Sequence, residues 1–148
     1  MSNQPNILLV DDNLMDVELA IEAFHKISFS SRIEVANSGQ QALDYVLGHG
    51  AYADRERYPL PSLILLDLKM PGLDGFDVLR KIKLTPNLKR IPVVILTSSQ
   101  EKADRALSYD IGANSYLVKP VSFTKFIEVV RQLQDYWLTL NIGPPLPA

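Results

Sequence analysis

Apolar residues along the chain collect in five short runs, Ile7–Val10, Ile33–Ala36, Leu63–Leu66, Val93–Leu96 and Ser115–Val118. Most are continuous rather than alternating, the pattern of strands covered on both faces, and helical patterns separate them. Together these features predict a parallel sheet. In the first intervening segment Val17, Ala20, Ile21 and Phe24 recur at helical spacing, with Glu18, Glu22 and Lys26 on the opposite side, so one face packs and the other is wet. The second helix is expected from Ser38, whose hydroxyl can cap the backbone while Gln41 reaches back, through Ala42, Tyr45 and Val46. The third spans about Gly75 to Leu84 and stops before Pro86. Ser98 with Glu101 predicts a capping box ahead of a fourth helix ending near Gly112, and Phe123, Phe126, Ile127, Val130 and Leu133 mark the fifth.

Alternating strands and helices of this kind predict (βα)5, a doubly wound α/β sandwich with right-handed crossovers. We read residues 1–140 as one domain and the proline-rich 141–148 as a tail that cannot continue a helix. The segment 48–61 (GHGAYADRERYPLP) is long for an αβ connection, which usually takes about 2 to 6 residues.

Composition narrows the chemistry. The 148 residues include no cysteine and only two histidines, which excludes disulfides, thiol nucleophiles and a three-histidine metal centre. Any metal must be held by oxygen. A net charge of −2 offers no footprint for nucleic acid, and the apolar runs are too short to span a bilayer. Met1–Pro5 lacks the apolar region of a signal peptide, so a cytoplasmic protein is expected.

Open α/β sheets bind ligands beyond the carboxyl ends of their strands. There the chain places Asp11 and Asp12 after the first strand, Asp67 after the third, Thr97 and Ser98 after the fourth, and Lys119 after the fifth. Three carboxylates brought together each disfavour ionisation of the others unless a cation compensates. Mg2+ suits a site with few protein ligands, several waters and a phosphate oxygen. Singly these residues have plainer readings: an acidic N-cap for Asp11 and Asp12, a strand-end hydroxyl for Thr97, a half-buried aromatic for Tyr116. Asp74 and Asp77 read as capping or solvated residues, Gly75 as a turn residue, and His25 and His49 as lying away from the site.

Four motifs in this order, Asp11-Asp12, LLDLKMPGLDG around Asp67, Leu96-Thr97-Ser98 and Tyr116-Leu-Val-Lys119-Pro120, resemble the receiver domains of two-component response regulators, and the match covers nearly the whole chain. The resemblance implies a flavodoxin-like sheet of strand order 2-1-3-4-5 with Asp67 as phosphoacceptor. It implies Mg2+ on Asp12, Asp67 and the Lys69 backbone carbonyl, with Asp11 acting through water. Thr97, Ser98 and Lys119 would contact the phosphoryl group, Thr97 and Tyr116 would act as the switch, and the bond before Pro120 would be cis. The donor would be a sensor histidine kinase, and the output a repacking of the face formed by the fourth helix, fifth strand and fifth helix. The chain would be a switch rather than an enzyme.

The long loop and the Tyr136-Trp137-Leu138 ending further resemble the small single-domain regulators of cyanobacterial phytochrome kinases. This implies a phytochrome-like kinase as partner and a homodimer through that same face and the C-terminal extension. Two alternatives stand beside this reading. An Mg2+-dependent phosphatase with an aspartyl nucleophile needs a second Asp two residues after the first, where this chain has Lys69; a scaffold independent of phosphorylation would not need the full set of site residues.

Overall fold

The computed structural model describes residues 6–29 and 32–146, so the N-terminal Met1–Pro5 and the tail's Pro147 and Ala148 lie outside the described residues. Five parallel strands, β1 (Asn6–Val10), β2 (Arg32–Ala36), β3 (Leu63–Leu66), β4 (Val93–Thr97) and β5 (Ser115–Val118), form one sheet in the order β2-β1-β3-β4-β5. Between them run α1 (Leu14–Lys26), α2 (Gly39–Leu47), α3 (Gly75–Leu84) and α4 (Lys102–Ile111), with α5 (Phe123–Asp135) last. This is the doubly wound arrangement that the resemblance implied.

The continuous apolar runs are explained by their two faces. Leu8, Val10, Ile64, Leu66, Val93 and Ile95 pack with α2 and α3 through Ala42, Tyr45, Val46, Val78, Leu79 and Ile82. Their neighbours Ile7, Leu9, Leu63, Leu65, Val94 and Leu96 pack with α1 and α5 through Val17, Ala20, Phe24, Phe126, Val130 and Leu133. Successive strand residues thus enter opposite cores, which requires both parities to be apolar. No helix of the described residues is long and apolar enough to cross a membrane.

Helix starts follow the expected chemistry with two shifts. Ser38 Oγ accepts the Gln41 N–H at 3.1 Å, but the Gln41 side chain accepts from Asn37, one residue before the cap. The expected Ser98–Glu101 box does not form: α4 starts at Lys102 with Glu101 as a cap that accepts no side-chain bond, and Ser98 is exposed. Ser99 serves the turn instead, its Oγ accepting the Glu101 N–H at 3.3 Å and donating to Asp104 at 2.6 Å. Asp74 and Asp77 form a complete capping box on α3.

The 48–61 loop is packed rather than loose. It includes a single 3-10 turn, Gly50–Tyr52, and Arg55 donates from Nη1 to the carbonyls of Tyr45 at 2.7 Å and Tyr58 at 3.2 Å, and from Nη2 to Val46 at 2.7 Å. Tyr45, Tyr52 and Tyr58 stack edge to face or tilted with centroids 5.0 to 6.1 Å apart, near the preferred aromatic spacing. Past α5, one π-helical turn (Tyr136–Leu140) places Trp137 and Leu138 against the α1/α5 core, while Tyr136 stays exposed. The tail then reaches the opposite core, where Leu146 packs and Arg90 donates to the Pro145 carbonyl at 3.2 Å. The loop enters β3 beside the start of β1, with Ser62 N–H donating to the Asn6 carbonyl at 2.9 Å. It therefore lies at the amino-terminal ends of the strands, opposite the candidate chemistry.

Candidate functional site

Three site residues extend the sheet ladder by one residue, which fixes their backbones before any side chain is considered. The Asp11 N–H donates to the Ala36 carbonyl at 3.1 Å, the Asp67 N–H to the Val10 carbonyl at 3.0 Å, and the Lys119 N–H to the Thr97 carbonyl at 2.7 Å. Gly75 is essential beneath Asp67: a Cβ there would lie 2.2 Å from the Asp67 carbonyl oxygen and 2.6 Å from Leu68 Cα. Its role is close approach of α3 to the strand end, beyond the turn role read from sequence.

Asp11, Asp12 and Asp67 each present a carboxylate oxygen within 4.8 Å of the others. Asp11 and Asp67 are buried and Asp12 is exposed. The N-cap of α1 is Asn13, so neither Asp11 nor Asp12 has the capping role of the plainer reading. Asp11 Oδ1 instead accepts the Asn13 N–H at 2.9 Å. The Lys119 ammonium donates to Asp11 at 2.7 Å, Asp16 at 2.7 Å and Asp67 at 3.1 Å, which uses all three of its protons.

Burial raises the Asp11 carboxyl above its ordinary value, although the bonds from Lys119 and Asn13 oppose the shift. For Lys119 burial works to lower the pKa, but the bonds to Asp11 and Asp16 and the charges of Asp67 and Asp11 outweigh it, and the ammonium is held above its usual range. Four carboxylates against one ammonium leave this edge strongly negative. The excess charge and the all-oxygen donor set fit a hard divalent cation such as Mg2+.

Thr97 is fully buried, and its Oγ1 accepts the Ser99 N–H at 3.3 Å. Tyr116 is half-buried and donates its hydroxyl to the Ser99 carbonyl at 3.0 Å. Ser99 also bonds Asp104, and Asp104 pairs with the Lys69 side chain at 3.1 Å. The Ser99 hydrogen bond and the Lys69 charge hold the Asp104 carboxyl low, and the Asp104 hydrogen bond holds the Lys69 ammonium high. The loop after Asp67 is thereby tied to α4 and to Tyr116 by one chain of bonds. Ser98, by contrast, faces solvent.

The cis bond expected before Pro120 is not found. No cis peptide bond occurs among the described residues, so the Lys119–Pro120 bond is trans. The trans form is the commoner for X–Pro, and Lys119 reaches its three carboxylates with that bond trans.

Asp16, Ser99 and Asp104 were missed from sequence. Asp16 and Asp104 both read as first-turn acids that complement a helix dipole. The signal lay in placement: the first turn of a helix leaving a strand's carboxyl end borders the site.

Comparison with known proteins agrees with this geometry. The model of the family "Response regulator receiver domain" matches residues 7–131. The chain is 41% identical over 138 residues to the probable methanogenesis regulatory protein FilR2 of Methanothrix harundinacea, covering 93% of this chain and 86% of that one. To the response regulator Rcp1 of Synechocystis sp. it is 38% identical, covering 93% and 92%. The Mn2+-bound form of Rcp1 superposes with a TM-score of 0.85 at 35% identity, over 95% of this chain and 99% of that one. The phosphorylated cyanobacterial phytochrome response regulator RcpA superposes with a TM-score of 0.89 at 35% identity, over 96% and 99%. With its family model matched over most of its length and its acidic edge in place at the ends of β1 and β3, the chain belongs to the response regulator receiver domain family.

Proposed function

We propose that the chain is a phosphorylation-controlled switch in which Asp67 accepts a phosphoryl group from a phosphohistidine of a sensor histidine kinase. The observation that carries this is the gathering of Asp11, Asp12 and Asp67, with Lys119 bonded to two of them. In the transfer the P–N bond to the donor imidazole breaks, its electron pair staying on the nitrogen, and a P–O bond to the Asp67 carboxylate forms. Charge spreads over three phosphoryl oxygens, so catalysis is chiefly positioning and neutralisation. Lys119 supplies an ammonium, and Thr97 and Ser98 supply hydroxyls at the end of β4. Asp12, Asp67 and the Lys69 carbonyl would hold Mg2+, with Asp11 acting through water; the cation supplies further neutralisation of the phosphoryl oxygens. Water attack on the acyl phosphate resets Asp67.

The readout assigned to Thr97 and Tyr116 is a shift of the β4–α4 segment, since both bond to Ser99. On the α4-β5-α5 face Leu107, Tyr109 and Val118 are exposed, and beyond it Tyr136, Leu140 and Ile142. These apolar groups support a homodimer through that face and the C-terminal extension. The likeness to RcpA, described as a phytochrome response regulator, supports a phytochrome-like kinase as donor. Residues 1–140 would act as the receiver unit in the cytoplasm, with no nucleic-acid partner. Against a phosphatase, Lys69 stands where a general acid would be required, and its ammonium is engaged by Asp104.

Acetyl phosphate with Mg2+, followed by intact mass, tests the reading. One acid-stable, base-labile phosphate is expected, absent in Asp67→Asn; phosphate persisting in that variant overturns it. Solution mass with and without phosphorylation tests the dimer, and a monomer in both states at high concentration rejects it.

A further inference from the structure

We infer that Asp16 is a positioning residue that holds the Lys119 ammonium on the α1 side of the site and restrains the uptake of phosphoryl groups. This rests on the reading of Asp67 as phosphoacceptor. Lys119 has three N–H bonds, and all three end on carboxylates: Asp11, Asp16 and Asp67. An incoming phosphoryl oxygen can take an N–H only if one of these gives way. Asp11 and Asp67 belong to the gathered carboxylate group, whereas Asp16 stands outside it. A cation held by that group would therefore neutralise the other two and leave the Asp16 charge in place.

The geometry makes that charge matter. Asp16 Oδ2 and Asp67 Oδ2 share one nitrogen at 2.7 and 3.1 Å, so they lie at most about 6 Å apart, within strong Coulomb range for a partly buried pair. The Asp16 side chain is 30% exposed, against 10% for Lys119, so it is the solvent-facing partner of this bond. It therefore acts twice against uptake, by occupying a Lys119 proton and by repelling the donor. The same bond joins α1 to the β5–α5 connection, 103 residues apart in sequence. No local pattern along the chain marks it.

The test measures the second-order rate of phosphate gain from acetyl phosphate at saturating Mg2+, by intact mass, in the full chain. Asp16→Asn keeps the size and an acceptor oxygen but loses the charge; Asp16→Ala loses both; Asp16→Glu keeps the charge. We expect the Asn and Ala variants to react about fivefold faster than wild type at low salt. The gain should shrink below about twofold in 0.5 M KCl. Asp16→Glu should return to the wild-type rate. A merely structural role would give no such charge-specific, salt-sensitive pattern. Asn and Ala variants that match wild type, or react more slowly, overturn the inference. If the Ala variant fails to fold, shown by circular dichroism, the isosteric Asn variant carries the comparison alone. Failure of wild type to gain phosphate at all refutes the Asp67 reading instead, so the two failures are distinguishable.

Discussion

Replacing Lys119 by methionine keeps most of the side-chain volume and removes the ammonium that three carboxylates share. Asp11 and Asp67 have side chains 5% and 8% exposed, so neither can fall back on full hydration. Removing one partner of a buried ion pair costs about 3–5 kcal/mol. The carboxylates have an escape, which sets the magnitude at a given pH: one can bind a proton. Holding a carboxyl neutral at pH 7, when its unfolded pKa is about 3.9, costs about 4 kcal/mol at about 1.4 kcal/mol per unit. At pH 5 the same escape costs about 1.5 kcal/mol. A carboxyl whose folded pKa is raised detracts from stability above its unfolded pKa, and that penalty fades as the pH falls toward it.

Lys119→Met should therefore lose about 3–4 kcal/mol at pH 7 without divalent cation and about 1.5 kcal/mol at pH 5. Mg2+ at 100 times its dissociation constant should restore about 2.7 kcal/mol at pH 7. Urea unfolding followed by circular dichroism, at both pH values and with and without 10 mM Mg2+, measures all three. A loss equal at pH 5 and pH 7, in a variant that itself gains no stability from Mg2+, would mean that Lys119 acts by packing, and the electrostatic account of the site would fail.

Gly75→Ala should destabilise by about 2–3 kcal/mol and slow phosphorylation, because its Cβ would meet backbone 2.2 Å away that cannot rotate aside; urea unfolding within 0.5 kcal/mol of wild type would contradict the close-approach argument. Because burial raises the Asp11 carboxyl above its ordinary 3.8, divalent-ion affinity should fall as the pH is lowered toward that raised value. Calorimetric titrations in two buffers of different ionisation enthalpy should show proton release on binding in that range, and pH-independent affinity down to pH 4 would contradict it. Arg55→Ala removes two carbonyl bonds at the end of α2 and one within the loop, and should cost about 2 kcal/mol while leaving the phosphorylation rate within twofold, since the loop lies at the opposite end of the strands.

Sequence reveals the elements of this fold wherever the information is local. The strands were legible because a two-faced sheet demands apolar residues at both parities, as Leu63–Leu66 shows with all four positions buried. Asp11, Asp12, Asp67, Thr97 and Lys119 were legible because a strand's carboxyl end is identifiable once the strand is. Asp16 was not, since an acid in a first helical turn has an adequate local explanation and its Lys119 contact is formed only by the closed sheet. Arg55 was hidden for a similar reason: a charged residue in a mixed-charge loop reads as solvated, and only the fold brings the α2 carbonyls around it. The Ser98–Glu101 box failed because Ser99 and Asp104 make a competing turn one residue later. The cis bond at Pro120 rested on resemblance alone, and the chain adopts the commoner isomer.

The surplus over a minimal (βα)5 unit also has a changed meaning. The aromatic side chains of the 48–61 loop and of the Tyr136–Leu140 turn are largely spent on the protein's own cores through Tyr52, Tyr58 and Trp137. Past α5, Tyr136, Leu140 and Ile142 stay exposed.

Whether Asp67 is the phosphoacceptor is decided by intact mass after incubation with acetyl phosphate and Mg2+. Wild type should gain one phosphate that mild base releases, and Asp67→Asn should gain none. A wild-type chain that stays unmodified, or a phosphate that survives the Asn substitution, would contradict that role of Asp67.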